Sequence, residues 1–323
     1  MDLDMQLPGV AVVIPCYRVR TQILKVIGGI GPDVSNIYVI DDGCPQETGK
    51  YVQQECGDPR VRVIFHAENR GVGGAMITGY QQAIADGADI IVKLDGDGQM
   101  DPGNIPILVV PIVSGIADYT KGNRFYYLEG LQQMPLLRLF GNAALSFITK
   151  FSTGYWDIFD PTNGYTAVHA RVLERLPLEK IDNRYFFESD MLFRLNTIRA
   201  VVLDVPLPAR YSDEESSLKE FRAIPEFVSK HVRNTLKRIF YNYYLRDFSA
   251  VSLELLLGIT ALLFGISEGS TAWIKSVRSG VVASSGTVML AALPTIVGIQ
   301  LLLSFLTADS GNVPKTPLHK RLM

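Results

Sequence analysis

The chain has 323 residues, enough for one large α/β domain with further elements attached. Its 31 Lys and Arg stand against 33 Asp and Glu, a formal charge of −2 that leaves no overall nucleic-acid footprint and excludes that partner class. Hydrophobic residues make up 47% and mean hydropathy is +0.16, high for a wholly soluble enzyme, and the excess sits towards the C-terminus.

Met1 to Pro8 is acidic and lacks a basic segment followed by an apolar one. No signal peptide is read there, and the N-terminal domain is expected in the cytoplasm. Cys16, Cys44 and Cys56 are odd in number and lack metal-ligand spacing, so they are read as reduced thiols. The β-branched runs Val10–Pro15, Ile37–Ile40, Val61–Phe65 and Ile90–Leu94 have strand length. Between them, Thr21–Ile30, Thr48–Cys56 and Gly71–Ala85 have helical spacing or good helix formers. This alternation predicts an α/β domain with a Rossmann-like, mostly parallel sheet and helices on both faces. Such sheets bind ligands beyond the carboxyl ends of their strands. That rule directs attention to Cys16-Tyr17-Arg18, Asp41-Asp42-Gly43, His66 to Arg70 and Asp95-Gly96-Asp97.

Further on, helices are predicted over Leu136–Thr149 and Glu188–Ile198, with an apolar run at Val201–Val205. Ser217–Asp247 mixes Lys219, Arg222, Lys230, Arg233, Lys237, Arg238 and Arg246 with many aromatic side chains, a composition suited to an anionic membrane interface. Ala250–Ser267 is apolar except for Glu254, and Val281–Leu306 has only small hydroxyls, Pro294 and Gln300 among its apolar residues. Both are read as transmembrane helices, the alternative being two buried core helices. Two spans return the chain to its starting side, with the basic segment before them and Lys315, Lys320 and Arg321 after them cytoplasmic. Only Lys275 and Arg278 fall in the short outer loop of that reading. The expected organisation is a catalytic domain over 1–216, a basic amphipathic juxtamembrane segment over 217–248, two transmembrane helices over 249–308 and a basic cytoplasmic tail over 309–323. The protein is thus expected as a multi-pass protein of the inner (cytoplasmic) membrane.

The strongest chemical signal is Leu94-Asp95-Gly96-Asp97-Gly98-Gln99, where an apolar strand ends in two carboxylates within a glycine-loosened turn. Mg²⁺ and Mn²⁺ prefer oxygen ligands and often bridge a protein carboxylate to substrate phosphates. Asp95 and Asp97 are the candidate ligands, with Gln99 as an added amide oxygen. Asp41 and Asp42 follow another strand, where a carboxylate can meet a ribose hydroxyl or a base edge. Tyr17, after Pro15 at the end of the first strand, could pack on a base. Asn69-Arg70-Gly71-Val72-Gly73-Gly74 opens a helix with glycines, either for close backbone approach to a ligand or for tight helix–strand packing.

The ordered set Val-Ile-Pro-x-Tyr, Asp-Asp-Gly-x-Pro, Asn-Arg-Gly-x-Gly-Gly-Ala, Asp-Gly-Asp-Gly-Gln-x-Asp-Pro and Lys-Gly-Asn-Arg resembles family-2 glycosyltransferases of the GT-A fold. Within them it is most similar to the dolichyl-phosphate mannose synthase and bacterial polyprenyl-phosphate glycosyltransferase group, over roughly Val10 to Lys219. The resemblance implies that Asp95, Asp97 and Gln99 hold the cation and that Asp41 and Asp42 bind the nucleoside. It also places Arg124 by the phosphates and Lys219, in Ser216-Ser217-Leu218-Lys219, near phosphate. Phe187-Glu188-Ser189-Asp190 is similar to a Glu-Asp motif of other family-2 enzymes, whose carboxylate acts as base on a sugar hydroxyl. Asp160, in Asp160-Pro161-Thr162-Asn163-Gly164-Tyr165, resembles the acceptor-side turn. One departure is Tyr17-Arg18-Val19, where the family carries Tyr-Asn-Glu, so a nucleoside-holding carboxylate is missing.

The expected activity is inverting, metal-dependent transfer from a UDP- or GDP-sugar to a polyprenyl phosphate at the cytoplasmic membrane face, by an enzyme that could be a homo-oligomer. One alternative acceptor is a hydroxyl of a lipid-linked saccharide. Alternatives of another class are a sugar-nucleotide nucleotidyltransferase, disfavoured because Pro15-Cys16-Tyr17 is no glycine-rich turn, and a non-catalytic nucleotide-binding membrane protein.

Overall fold

The computed structural model describes residues 8–126, 136–208 and 224–322. The chain divides into two compact units, one of Met1–Thr235 with Pro314–Met323 and the other of Leu236–Val313.

The first unit is built on a seven-stranded sheet with strands β1 (Val10–Cys16), β2 (Val34–Asp41), β3 (Val61–Phe65), β4 (Ile90–Lys93), β5 (Tyr119–Asn123), β6 (Thr166–His169) and β7 (Val202–Pro206). Their spatial order is β3-β2-β1-β4-β6-β5-β7. Pairings β1–β2, β2–β3, β1–β4 and β5–β7 are parallel, whereas β6 runs antiparallel to both β4 and β5. The mostly parallel α/β sheet expected from the sequence is therefore present. The strand β1 is apolar at every position from Val10 to Ile14, and all five side chains are buried. A central strand covered on both faces has no need of alternation. Each such Val or Ile contributes about 1.5–3 kcal/mol on burial.

Helices α1 (Ile23–Gly28), α2 (Thr48–Glu55) and α3 (Val72–Ala85) connect the first four strands, followed by α4 (Ile105–Val113). The α1 helix is shorter than the Thr21–Ile30 stretch read from spacing, and α4, β5 and β6 were not anticipated. Later helices are α5 (Leu136–Thr153), α6 (Ala170–Leu173), α7 (Phe187–Thr197) and α8 (Ile224–Phe240).

The last residues of the chain belong to this first unit. Asp118, fully buried, accepts backbone N–H bonds from Val201 at 2.7 Å, Leu318 at 2.7 Å and His319 at 2.8 Å, and pairs with His319 Nδ1 at 2.7 Å. The His319 ring stacks on His169 at 4.6 Å. The segment expected as a basic tail is thus docked onto the first unit at His319.

In the second unit, α9 (Ala250–Ser279) and α10 (Ser285–Gly311) are both long and apolar enough to cross a membrane. Lys275 and Arg278 lie on the last turns of α9 and not in the connecting loop where the sequence reading put them, because the helix runs on to Ser279. The two helices approach closely at small residues. A Cβ on Gly298 would lie 2.7 Å from Leu262 N, and one on Gly265 would lie 2.7 Å from Ala291 O. Small residues at the contact are the usual means of packing helices that lipid surrounds. Most large apolar side chains on both helices face outward. A buried fork joins Arg238 to Asp309, with Nη1–Oδ1 2.6 Å and Nη2–Oδ2 2.9 Å, and Tyr243 donates to the same carboxylate.

Candidate active site

The carboxyl ends of β3, β2, β1 and β4 lie in that order along one edge of the sheet, so His66, Asp42, Tyr17 and Asp95 follow each other there. Because β6 is antiparallel, its beginning meets the end of β4. Register places Lys93 opposite Thr166 and Thr166 opposite Lys121. The Asp160–Tyr165 turn before β6 and Arg124 after β5 therefore reach the same edge as Asp95.

At its centre stands Lys93, 2% exposed at the end of an otherwise apolar strand. Its ammonium lies 2.8 Å from Asp95 Oδ1 and 3.4 Å from Glu188 Oε1. Burial opposes the charge, but Asp95 and Glu188 outweigh it and hold the Lys93 pKa above the usual lysine range. Gly164 closes the same spot, since a Cβ there would collide with Lys93 Nζ and lie 2.9 Å from Asp95 Oδ2. Lys121, one strand further, donates to the Asn163 carbonyl. Burial pushes its ammonium down to about 8, although Glu188 and Asp160 pull the other way. Neither lysine was singled out from sequence. The readable signal was a charged residue closing a buried β-branched run in Ile90-Ile91-Val92-Lys93.

Asp95 and Asp97 remain partly exposed in the turn after β4, and Asp97 Oδ1 accepts the Gln99 N–H at 2.9 Å. Gly98 takes φ +81° between them and Gln99, which favours glycine. Among the described residues no cluster of three His, Cys, Asp or Glu could hold a metal on its own. Two carboxylates with a neighbouring amide oxygen do fit Mg²⁺ or Mn²⁺, which keep waters and take further oxygens from phosphate. The chemistry of the donor set is therefore suited to a cation that arrives with a diphosphate.

Asp160 is fully buried and grips Arg124, with Nε–Oδ2 2.8 Å and Nη2–Oδ1 3.1 Å. Arg124, about 40% exposed, spans from this carboxylate towards solvent. The pair fixes the end of β5 to the turn before β6. Asp204 lies nearby, bonded to Phe159 N and Asn123 Nδ2. Burial raises its carboxyl to about 6.

Asp41 and Asp42 are buried and committed to the backbone. Asp41 accepts from Cys44 N at 2.7 Å and Gly49 N at 2.6 Å. Asp42 accepts from Arg70 N and Gly71 N, both at 2.8 Å, and pairs with His66 at 2.7 Å. The two carboxylates hold the loops after β2 and β3 together. Tyr17 offers an exposed ring beside half-buried Pro15, with the Arg18 guanidinium 5.2 Å from its centroid. The Arg70 side chain is exposed.

The glycines that open α3 resolve in favour of packing. Gly73 N and Gly74 N donate to the Asn183 carbonyl at 2.9 and 3.2 Å. A Cβ on Gly71 would strike that same oxygen, and Gly71 holds φ +87°. The helix start is filled by the Asp182–Arg184 loop.

Glu188 and Asp190 sit in the first turn of α7 but face different ways. Glu188 reaches Lys93, whereas Asp190 is enclosed, taking Asp182 N and Arg194 Nε at 3.0 Å on Oδ2 and Asn234 Nδ2 at 3.0 Å on Oδ1. The structure thus gathers Asp95, Glu188, Arg124 and Asp160 at one edge and leaves Asp190 behind it. Lys219 lies outside the described residues.

Comparison with known proteins agrees with this architecture. The sequence pattern described as Glycosyl transferase family 2 matches residues 11–177. A UDP-N-acetylglucosamine–dolichyl-phosphate N-acetylglucosaminyltransferase of Methanococcus voltae is 30% identical over 215 residues, covering 62% of this chain and 85% of the relative. A polyprenol monophosphomannose synthase of Mycolicibacterium smegmatis is 30% identical, covering 61% of this chain and 75% of the relative. An undecaprenyl-phosphate mannosyltransferase of Micrococcus luteus is 29% identical, with 61% and 82% covered. Among solved structures, glucosyl-3-phosphoglycerate synthase from Mycobacterium tuberculosis, determined with Mn²⁺, UDP and glucosyl-3-phosphoglycerate, superimposes with a TM-score of 0.54. At 20% identity, with 72% of this chain and 80% of that chain covered, this likeness is one of fold. With more than half of its length matched by that pattern and its site motifs gathered at one sheet edge, the chain belongs to glycosyl transferase family 2 and is a glycosyltransferase.

Proposed function

We propose that this enzyme transfers a sugar, with inversion, from a UDP- or GDP-sugar to a polyprenyl phosphate at the cytoplasmic face of a membrane, with Mg²⁺ or Mn²⁺ as cofactor. The observation that carries the reading is the Asp95-Gly96-Asp97 turn, partly exposed at the carboxyl edge of the sheet and backed by buried Lys93. The polyprenyl phosphate acceptor is supported by the names of relatives from three organisms, all of which specify a dolichyl, polyprenol or undecaprenyl phosphate type of substrate. The membrane location is supported by α9 and α10, whose outward apolar faces need a covering that lipid supplies.

In this reading Asp95, Asp97 and Gln99 hold the cation, which when bound offsets the charge of the departing nucleoside diphosphate. Tyr17 stacks on the base, Pro15 and Gly71 shape the walls, and Arg70 reaches the nucleotide from an exposed position. Asp41 and Asp42 serve the nucleoside by fixing the loops that surround it. Arg124, oriented by Asp160, and Lys219 bring positive charge to the phosphates. A phosphate monoester is already largely ionised near neutral pH, its second pKa being ~6, so the nucleophile needs no general base. Glu188 then acts by positioning, and Asp190 by holding α7 in place.

The rival acceptor, a sugar hydroxyl, is favoured by one observation: Glu188, 14% exposed, lies on the site side of α7, where a base would be needed. The deciding experiment measures UDP and GDP release from a panel of nucleotide-sugars with Mn²⁺, with and without undecaprenyl phosphate. Release that depends on the lipid phosphate, is lost with EDTA and survives Glu188→Gln within tenfold supports the proposal. Release that needs a lipid-linked saccharide and loses about 10²–10⁴-fold in Glu188→Gln refutes the phosphate acceptor.

A further inference from the structure

We infer that Lys93 is a built-in counter-ion that keeps the cation site weak until the nucleotide arrives, so that cation and nucleotide bind as a pair. The inference rests on the cation reading of Asp95 and Asp97. A chain that only needed to hold a divalent ion would leave Asp95 and its neighbours uncompensated. Here a buried ammonium sits 2.8 Å from one oxygen of Asp95 and 3.4 Å from Glu188. The strand register fixes it there, since Lys93 is opposite Thr166 and pointed into a spot where only Gly164 leaves room for it. A lysine this enclosed has no solvent-facing role on the strand.

The consequence follows from charge. With no nucleotide present, Lys93 neutralises one of the two ligands and repels a dication from close range, in surroundings where screening is weak. A nucleoside diphosphate adds several negative charges, which outweigh the single ammonium and restore the attraction. Lys93 therefore converts two independent binding events into coupled ones. By linkage, the cation must raise nucleotide affinity by the same factor that the nucleotide raises cation affinity. Glu188 belongs to the device because it shares the ammonium with Asp95 and so limits how fully Asp95 is neutralised. Lys93 is a positioning residue in this account, acting through Asp95 and Glu188 and touching no reacting atom.

The test is calorimetric titration of full-length protein in detergent with Mn²⁺ alone, with UDP alone and with the two together. Wild type is expected to bind Mn²⁺ weakly alone and far more tightly with UDP. Lys93→Gln, which keeps hydrogen-bond donors but removes the charge, should tighten binding of Mn²⁺ alone by about tenfold or more, the scale set by removing a unit charge beside a dication. The coupling between Mn²⁺ and UDP should shrink accordingly, and Lys93→Arg should restore it. Unchanged or weaker binding of Mn²⁺ alone in Lys93→Gln overturns the inference. If Lys93→Gln does not fold, Glu188→Gln provides the second arm: it leaves Lys93 wholly to Asp95, so Mn²⁺ alone should bind several-fold more weakly, and no change overturns the inference. Failure of the cation reading has a different signature, in which wild type and Asp97→Asn bind UDP equally well with or without Mn²⁺.

Discussion

Replacing Asp118 by Ala tests how strongly the end of the chain is held to the catalytic unit. The carboxylate is fully buried and accepts three backbone N–H bonds besides its pairing with the His319 ring. Hydrogen bonds to a charged group are each worth about 1.5–3 kcal/mol net, but they share one acceptor and do not add. Once released, the Leu318 and His319 amides regain water. The Val201 amide, just before β7 and part-buried, loses its partner, at about 1–3 kcal/mol. Together these losses set an expectation of about 2–4 kcal/mol for Asp118→Ala. Such a loss is a large share of the ~5–15 kcal/mol that stabilises an ordinary domain. Thermal melting in detergent would read the loss, and the rate of tryptic cleavage at Lys320 and Arg321, beside the docked residues, would read release of the tail. Asp118→Asn should fall between wild type and Asp118→Ala, because its amide accepts on one side only. If tryptic cleavage at Lys320 and Arg321 in Asp118→Ala is no faster than in wild type and the melting shift corresponds to less than ~1 kcal/mol, the tail is held by something other than this carboxylate.

Arg124→Gln should lower stability by about 2 kcal/mol, because Asp160 is left buried without its guanidinium while the partial exposure of Arg124 discounts the pair. Nucleotide release should also fall at least tenfold, and full activity at lowered melting temperature would reduce Arg124 to a structural clamp. Gly73→Ala should cost about 1–3 kcal/mol in thermal melting, since its Cβ would meet the Asn183 backbone at 2.9 Å and displace that loop; an unchanged melt would remove the packing explanation for the glycines. Burial depresses His169 and His231 to about 4, below the ~6.5 of an unfolded chain. The unfolded state therefore binds more protons, so their stabilising contribution is complete above pH ~6.5 and is lost as pH falls towards 4. His231→Gln should flatten that part of the melting-versus-pH curve, and an unaltered slope would show that His231 takes no part.

Legibility of the fold followed how plainly each strand declared its burial. The strand β1 opens with five apolar residues and β4 is apolar up to its closing Lys93, so their place in the centre of a covered sheet was readable from composition. By contrast, β5 reads Tyr-Thr-Lys-Gly-Asn, which has the look of a polar loop, yet all five residues are buried. Tertiary partners account for the difference. Thr120 donates to the Leu108 carbonyl, Lys121 to the Asn163 carbonyl, and Asn123 to Asp204. A polar strand is tolerated in a core when every polar group finds a partner, and those partners lie more than ten residues away, out of reach of local pattern. The helix α4 was hidden differently, by prolines at both its ends. Pro106 occupies the first turn, where its missing N–H is no loss, and Pro111 falls near the last.

At the site the same limit separates two carboxylates that look equivalent in sequence. Glu188 and Asp190 both lie in the first turn of α7, and either could have been read as a base or as a residue favoured by the helix dipole. Their two-residue spacing turns them about 200° apart around the helix, so only one can face the sheet edge. Which one does so is decided by what packs on the other side. Asn234 and Arg194 claim Asp190, and the Asp182 backbone closes over it. Glu188 is left facing Lys93, a lysine whose strand position was visible but whose partner was not. Motif and spacing therefore identify the chemistry available at this edge, while the assignment of each carboxylate to site or scaffold comes from the elements that pack behind it. The same division explains Asp41 and Asp42, whose backbone contacts at Gly49 and Gly71 make them builders of the loops at the carboxyl edge of the sheet before they can act on any ligand.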